Sequence, residues 1–493
     1  MRPSLLALPL LALPLTLAAA LAIAAPAAPV TTAAIPPAAT PCDSLAAFRP
    51  ARTELRATTI AAGAALPFAP SVTLPFALCR VEGAAHPTAD SDIRFEVLIP
   101  VDAGWNGRFL QVGNGGFAGQ IPYGTMLLGV AKGYAVAGTD DGHQTRDNQD
   151  ASWALGHPEK VVDFGSRGVK TTTDAAKAIL AAYGAVPKKA YFFGCSDGGR
   201  EALMTAQRNP GDFDGIVAGA PAWSWTRLQG SAARLTREML DLARALPTGK
   251  LIALQAAALA ACGGGKTYIA DPRACRFDPG TIACADFDSD ACLTAGQLKT
   301  VRLIYGGTRD PATGKPLPGL RPGAEALDRS WKDWGVSTTP GAASRTEGRG
   351  FPWNHFAYLV KHDPKFTLAA LTDADIVKGD RDLGPILDAA SPDLSAFKAR
   401  GGKLIQYHGW NDPAIPPGYS LDYFKQVRAR MGPVSDFYRL FVVPGMLHCS
   451  GGDAPTRVDW IAMLEQWAEA GVAPATAVAR DKDGATQTVV AER

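Results

Sequence analysis

Residues 191–200 read Tyr191-Phe-Phe-Gly-Cys-Ser-Asp-Gly-Gly-Arg200. The apolar run from Ala190 to Phe193 has the composition of a buried strand, and Arg200 to Arg208 that of a helix. Between them, Gly194-Cys195-Ser196-Asp197-Gly198 is a G-x-S-x-G. A strand that turns this sharply into a helix needs small residues on both sides of the turn. The turn lifts the serine hydroxyl above the carboxyl end of the sheet. The helix N-terminus beneath it offers free N–H groups and a partial positive charge to a developing oxyanion. Ser196 is therefore the candidate nucleophile. The bland alternative is a Gly-rich turn with an incidental serine, and the flanking residues weigh against it.

Cys195 precedes the serine. Far downstream, Gly445-Met-Leu-His448-Cys449 sets another cysteine beside a histidine. These two pairs predict one disulfide tying a nucleophile loop to a base loop. The chain has eight cysteines, at 42, 79, 195, 262, 275, 284, 292 and 449. Proximity pairs Cys42 with Cys79, Cys262 with Cys275 and Cys284 with Cys292, which leaves Cys195 for Cys449. An even count of this kind fits an exported chain. The N-terminus agrees: Met1-Arg-Pro-Ser is basic, Leu5 to Ile23 is apolar, and Ala22-Ile23-Ala24 is a small-x-small cleavage signal. Residues 1–24 read as a signal peptide. An uncleaved helix is disfavoured there by Pro9 and Pro14. Residues 25–41, rich in Ala, Pro and Thr, read as a disordered leader. No other stretch is long and apolar enough to cross a bilayer. The expected destination is a periplasm or the medium.

A length of 493 residues points to one domain with a large insertion. A net charge of +2 with no basic patch argues against a nucleic-acid partner, and 47% hydrophobic residues argue against disorder. Ile93 to Pro100 alternates as a strand does. Trp105 to Val112 leads into Gly113-Asn-Gly-Gly-Phe117. A strand ending in glycines upstream of the elbow is the expected oxyanion loop, because its backbone must approach the substrate closely. Gly133 to Gly138 is another buried strand, followed by the polar Thr139-Asp-Asp-Gly-His143. Asp163 to Tyr183 reads as a helix and Phe213 to Pro221 as the next strand. Alternation of this kind predicts a mostly parallel sheet. The pattern breaks at about Trp223. Residues 223–261 read as helical, 262–296 hold four cysteines, and 297–390 are rich in Gly, Pro and Trp. Strands return at Lys403 to His408 and Phe437 to Val443, and a helix from Thr456 to Ala470 closes the sheet. The expected organisation is a core of 42–222 and 391–493 with a lid of 223–390. Trp331, Trp334, Phe351, Trp353 and Phe356 are candidate ring-stacking walls for a substrate. For each, ordinary lid core is the competing reading.

The order Ser196…Asp412…His448 is that of the α/β-hydrolase fold, the fold class this sequence predicts. Both downstream residues follow predicted strands. His448 would take the serine proton, and Asp412 would hold the imidazole. Backbone N–H groups of Asp197, Gly115 and Gly116 would form the oxyanion hole. Among seven histidines, 86, 143, 157, 355, 362, 408 and 448, only His448 combines the right order with a cysteine partner. His408 lies within a strand and reads as structural. Asp436 and Asp453 are weaker rivals for the acid. No Cys/His spacing fits zinc. Asp286-Phe-Asp288-Ser-Asp290 begins like a calcium loop, but Ala291 replaces the turn glycine and Gln297 the bidentate Glu.

From about Cys42 onward the chain resembles the tannase and feruloyl esterase family. The likeness is densest in Gly113-Asn-Gly-Gly-Phe117, Trp153-Ala-Leu-Gly-His-Pro-Glu-Lys160, Gly194 to Arg200, Asp212 to Pro221 and Leu447-His-Cys449. The resemblance implies an exported serine esterase acting on small aromatic esters. Feruloyl or hydroxycinnamoyl esters come first. Galloyl esters, or mono-esters of terephthalate, are the alternatives, and a catalytically silent binding scaffold is the rival of another class. It also implies that Ser196, Asp412 and His448 form the triad and that Cys195 pairs with Cys449. The family's lid usually carries an Asp-rich calcium loop between two bridged cysteines. Here that interval, Cys262 to Cys275, is short and keeps only Asp271, so no cofactor and no lid calcium are expected.

Overall fold

The elbow strand is the sixth of nine in one sheet, with strands on both sides of it. The computed structural model describes residues 42–101, 104–334 and 350–493. The signal-peptide and leader readings lie outside these described residues. In chain order the strands are β1 (Thr53–Ile60), β2 (Leu78–Ala85), β3 (Ile93–Pro100), β4 (Arg108–Val112), β5 (Ala135–Thr139), β6 (Lys189–Cys195), β7 (Gly215–Gly219), β8 (Lys403–Gly409) and β9 (Tyr438–Val443). Their order across the sheet is β1-β2-β3-β5-β4-β6-β7-β8-β9. The first four neighbours pair antiparallel, and every pair from β5 to β9 is parallel. The chain leaves β4 toward β5 on one side and reaches β6 on the other. Loops after β4 and β6 therefore diverge and leave a crevice at the carboxyl ends, where open α/β sheets bind ligands.

Buried parallel strands must be apolar on both faces, and β6 is. Ala190 and Phe192 enter one core with Ile179 and Leu180 of α1 (Gly168–Tyr183), the inner face of α2 (Asp197–Arg208) and, further along, Tyr423 and Val427 of the helix Gly418–Met431. Tyr191 points the other way and joins Trp460, Leu464 and Trp467 of the last helix, Trp460–Ala470. The Cys42–Cys79 bridge fastens the N-terminal segment to β2.

Between β7 and β8 the chain builds a helical insertion with a small core of its own around Leu251, Val301, Ile304 and Trp331. The stretch 223–261, read as helical, forms two helices. α3 (Trp225–Glu238) and α4 (Thr248–Cys262) are separated by a 3-10 turn at Leu242–Arg244, with Pro247 just ahead of α4. Bridges Cys262–Cys275 and Cys284–Cys292 staple the poorly regular stretch that follows. The expected closing helix packs on the sheet, beginning at Trp460 rather than Thr456, but it is not the last element. A hairpin, Thr476–Arg480 with Thr486–Val490, follows it across the Asp483-Gly484 turn. Among the described residues no helix is long and apolar enough to cross a membrane.

Candidate active site

Close packing explains the elbow's glycines. A Cβ on Gly194 would lie 2.2 Å from the Gly198 carbonyl oxygen, and one on Gly198 would lie 2.8 Å from the Asn114 carbonyl. Ser196 itself holds a positive φ of 65°. Left-handed backbone at a residue other than glycine costs on the order of 1 kcal/mol or more, and the surroundings must enforce it. Here the Ser196 N–H donates to Gly219 O at 3.0 Å, and its carbonyl accepts from Arg200 N and Ala222 N, each at 3.1 Å. Cys195 is bonded to Cys449, which also has a positive φ, of 63°. The bridge thus joins two strained turns.

Asp412 and His448 follow β8 and β9. The His448 Nδ1–H donates to Asp412 Oδ2 at 2.8 Å, and Asp412 Oδ1 accepts from the N–H groups of Ala414 and Ile415. Burial pushes the Asp412 pKa up. The His448 charge, with hydrogen bonds from His408 and His448, outweighs burial and holds the carboxylate far below its usual range. His408 is buried. Its Nε2 donates to Ile415 O at 2.8 Å and lies 3.2 Å from Asp412 Oδ2, so it braces the acid loop. Asp436 instead pairs with Lys398 at the surface.

No acceptor among the described residues takes the backbone N–H of Gly115, Gly116 or Asp197. The loop carrying the two glycines is held from behind. Asn114 O accepts from Gly198 N at 2.8 Å, Asn114 N donates to Glu201 Oε2 at 3.2 Å, and Asn114 Nδ2 donates to Asp141 Oδ2 at 3.1 Å. Asp141, Asp197 and Glu201 are buried with carboxylate oxygens within 4.8 Å of one another. The one cation among them, Arg200, is bound to Asp197 at 2.5 Å and spends its other N–H groups on the carbonyls of Phe164, Gly165 and Leu387. Burial, then the Asp141 charge, raises the Glu201 pKa well above the usual carboxylate range. Burial, reinforced by the Asp197 charge, pushes Asp141 to about 7. His143, read from the sequence only as part of a polar loop, donates from Nε2 to Phe117 O at 2.7 Å and stacks on Trp153 at 3.8 Å. Burial lowers its pKa to about 3, so the ring is neutral.

Ser196, His448, Gly115 and Gly116 open into one cavity of about 320 Å³. Of the five predicted aromatic walls, Trp334 and Phe351 line it. Their rings are nearly parallel, 6.2 Å apart, and the Trp334 ring meets His448 edge-on at 4.7 Å. The other three lie elsewhere. Trp331 packs on Tyr305 in the lid core, Phe356 is buried in the main core, and Trp353 donates to Phe366 O. Sequence reading missed Trp225, Leu228, Gln229, Ala232 and Ile415, and also Arg329, the one fixed charge on the cavity wall among the described residues. The first four share α3, whose helical spacing alone could have grouped them. Arg329 is exposed at the rim, has a positive φ of 62°, and its guanidinium has no partner among the described residues. Beyond Leu228, Ala232, Trp334 and Phe351, which both share, a second and more apolar cavity of about 370 Å³ continues into the lid toward Met239, Ile304 and Leu320.

The lid loops do not fit a calcium ion, which takes six to eight oxygen ligands. In the Cys262–Cys275 loop, the Asp271 carboxylate is exposed and accepts from the Arg273 N–H. In the second bridged loop, the buried Lys250 ammonium donates to Asp288, to Ser289 O at 2.6 Å and to Cys292 O at 2.7 Å. A cation of the chain's own already fills that ring of oxygens.

Residues 79–493 match the family described as tannase and feruloyl esterase. An uncharacterized esterase of Xanthomonas campestris is 38% identical over 487 residues, covering 89% of this chain and 83% of that protein. The mono(2-hydroxyethyl) terephthalate hydrolase of Piscinibacter sakaiensis is 31% identical, covering 80% and 77%. The crystal structure of feruloyl esterase B from Aspergillus oryzae superposes with a TM-score of 0.83 at 26% identity, covering 91% of this chain and 95% of that one. With an α/β-hydrolase sheet, a bridged elbow and this likeness over most of its length, the chain belongs to the tannase and feruloyl esterase family of carboxylic ester hydrolases.

Proposed function

We propose that the protein is an exported serine esterase that cleaves esters of small aromatic acids, feruloyl and other hydroxycinnamoyl esters first, through an acyl-enzyme on Ser196. One observation carries this reading: a single cavity in which Ser196 and His448 meet the rings of Trp225, Trp334 and Phe351. Ser196 Oγ attacks the ester carbonyl while His448 Nε2 takes its proton. Asp412 fixes the tautomer and stabilises the imidazolium. The carbonyl oxygen gains charge and is held by the N–H groups of Asp197 and of the Gly115–Gly116 loop. His448 then protonates the leaving alcohol, and water repeats the sequence on the acyl-enzyme. Four disulfides support an oxidising destination.

A second reading has its own support. Arg329 at the rim, whose guanidinium has no partner among the described residues, would favour esters that also bear a carboxylate, such as a terephthalate mono-ester. Methyl ferulate, methyl gallate and monomethyl terephthalate, each with Ser196→Ala as control, separate these classes. Turnover that vanishes in the variant assigns the class by the preferred ester. No turnover and no labelling of Ser196 by a fluorophosphonate would overturn the esterase reading in favour of a silent scaffold. The lid is also proposed to hold no calcium, and stoichiometric calcium that resists dialysis would overturn that.

A further inference from the structure

α3 lays Trp225, Leu228, Gln229 and Ala232 along the catalytic cavity. Three of them are apolar, as an aromatic acyl group requires. Gln229 is not. It is 5% exposed, its Oε1 is buried without a hydrogen-bond partner, and no acceptor among the described residues takes its Nε2–H groups. Buried amides are ordinarily satisfied by the protein, so one left bare in a ligand cavity marks a group whose partner arrives with the ligand.

We propose that Gln229 is a specificity-determining residue that pairs with a ring hydroxyl of the aromatic acyl group. The inference rests on the aromatic-ester reading above and names the substituent that the site reads. Gln229 lines the cavity, so a substrate seated there either pairs with the amide or leaves it bare. A phenolic hydroxyl donates and accepts, so it satisfies the amide whichever end faces the ring. A methoxy group or a carboxylate only accepts and leaves the amide oxygen unpaired. A bare ring satisfies neither end. Sites built around a hydrogen bond to substrate discriminate strongly against the analogue that lacks the group, because the site's own polar atoms are then stranded.

The test compares kcat/KM for methyl cinnamate, its 3-hydroxy and 4-hydroxy derivatives and its 4-methoxy derivative, in the wild type and in Gln229→Met and Gln229→Leu. Each ratio is taken within one preparation, so loss of folded protein cancels. The wild type is expected to prefer one hydroxylated ester over cinnamate and methoxycinnamate by about 10-fold or more, as stranding the amide costs roughly one hydrogen bond. In both variants the ratio is expected to fall toward one. A wild-type ratio near one, or a preference that survives both substitutions, overturns the role of Gln229 and leaves the esterase reading intact. If none of the four esters is cleaved while p-nitrophenyl acetate is, the aromatic-ester reading fails and this inference with it.

Discussion

Replacing Cys195 and Cys449 together by alanine should cost both stability and turnover, and the structure separates the two effects. The bridge closes 254 residues, the insertion and β7 to β9 among them. Loop-closure entropy in the unfolded chain sets an upper estimate of about 5 kcal/mol for a loop of this length, and residual structure in the unfolded state lowers it. The catalytic loss has another origin. Ser196 and Cys449 both hold left-handed backbone, at φ 65° and 63°, and the covalent tie joins their loops. Once the tie is cut, the turn beside His448 can relax toward ordinary backbone and carry the imidazole with it. A shift of about 1 Å in a catalytic group costs roughly 100-fold in rate. Urea midpoints followed by tryptophan fluorescence give the first quantity. Turnover of p-nitrophenyl acetate, which asks only for the serine and its base, gives the second, measured well below the midpoint. A lowered midpoint with full turnover would refute the positional role and leave the bridge a staple. Full turnover with an unchanged midpoint would refute both parts.

Asp412→Asn should leave the fold intact yet reduce kcat by about 10⁴-fold, since the amide favours the wrong His448 tautomer. A loss under tenfold would contradict that assignment. Glu201→Gln should keep turnover within about twofold, because the amide oxygen can still accept from the Asn114 N–H in a side chain of the same shape. Glu201→Ala frees the oxyanion loop and should lose about 10- to 100-fold in kcat, short of or equal to the loss of a whole oxyanion donor. Equal rates in both variants would contradict the clamp. Asp140 and Asp141 titrate near 7, raised chiefly by burial, against about 3.9 in an unfolded chain. These two groups therefore hold protons in the folded state between those values and contribute stability that is lost as pH rises from about 4 to about 7. The buried, neutral His143 and His355 act with opposite sign in the same window, so the readout is the difference between variant and wild type. Asp141→Asn should remove its share of the downward slope, so that Tm of the variant gains on the wild type as pH rises from about 4 to about 7, and an unchanged difference would count against this shift.

Features that are local or ordered in the chain were legible without coordinates. The elbow is a contiguous pattern. The proposed triad is an order of three residues placed after strands, and bridged cysteines lie near one another in sequence or beside the residues proposed as catalytic. The pocket was not legible, because its walls are chosen by tertiary packing. Trp331 and Trp334 stand three residues apart in the same Trp-rich stretch, yet one fills the lid core against Tyr305 and the other meets His448. Composition cannot divide them. The clamp on the oxyanion loop joins Asn114, Asp141 and Glu201 from three separate segments, so no spacing announces it. The C-terminal hairpin did carry a signal, Asp483-Gly484 between alternating residues, and was still passed over in favour of the helix before it.

The Lys250 ammonium, held by Asp288 and two carbonyls in the Cys284–Cys292 loop, has a consequence for where the enzyme can work. A metal that organises a lid binds by mass action and leaves when the surroundings are poor in it or rich in competing anions. A side-chain cation has no such equilibrium. It is delivered with the chain, at one per molecule, and a chelator cannot strip it. On the calcium-free reading proposed above, this lid loop would keep its shape independently of the mineral content of the medium.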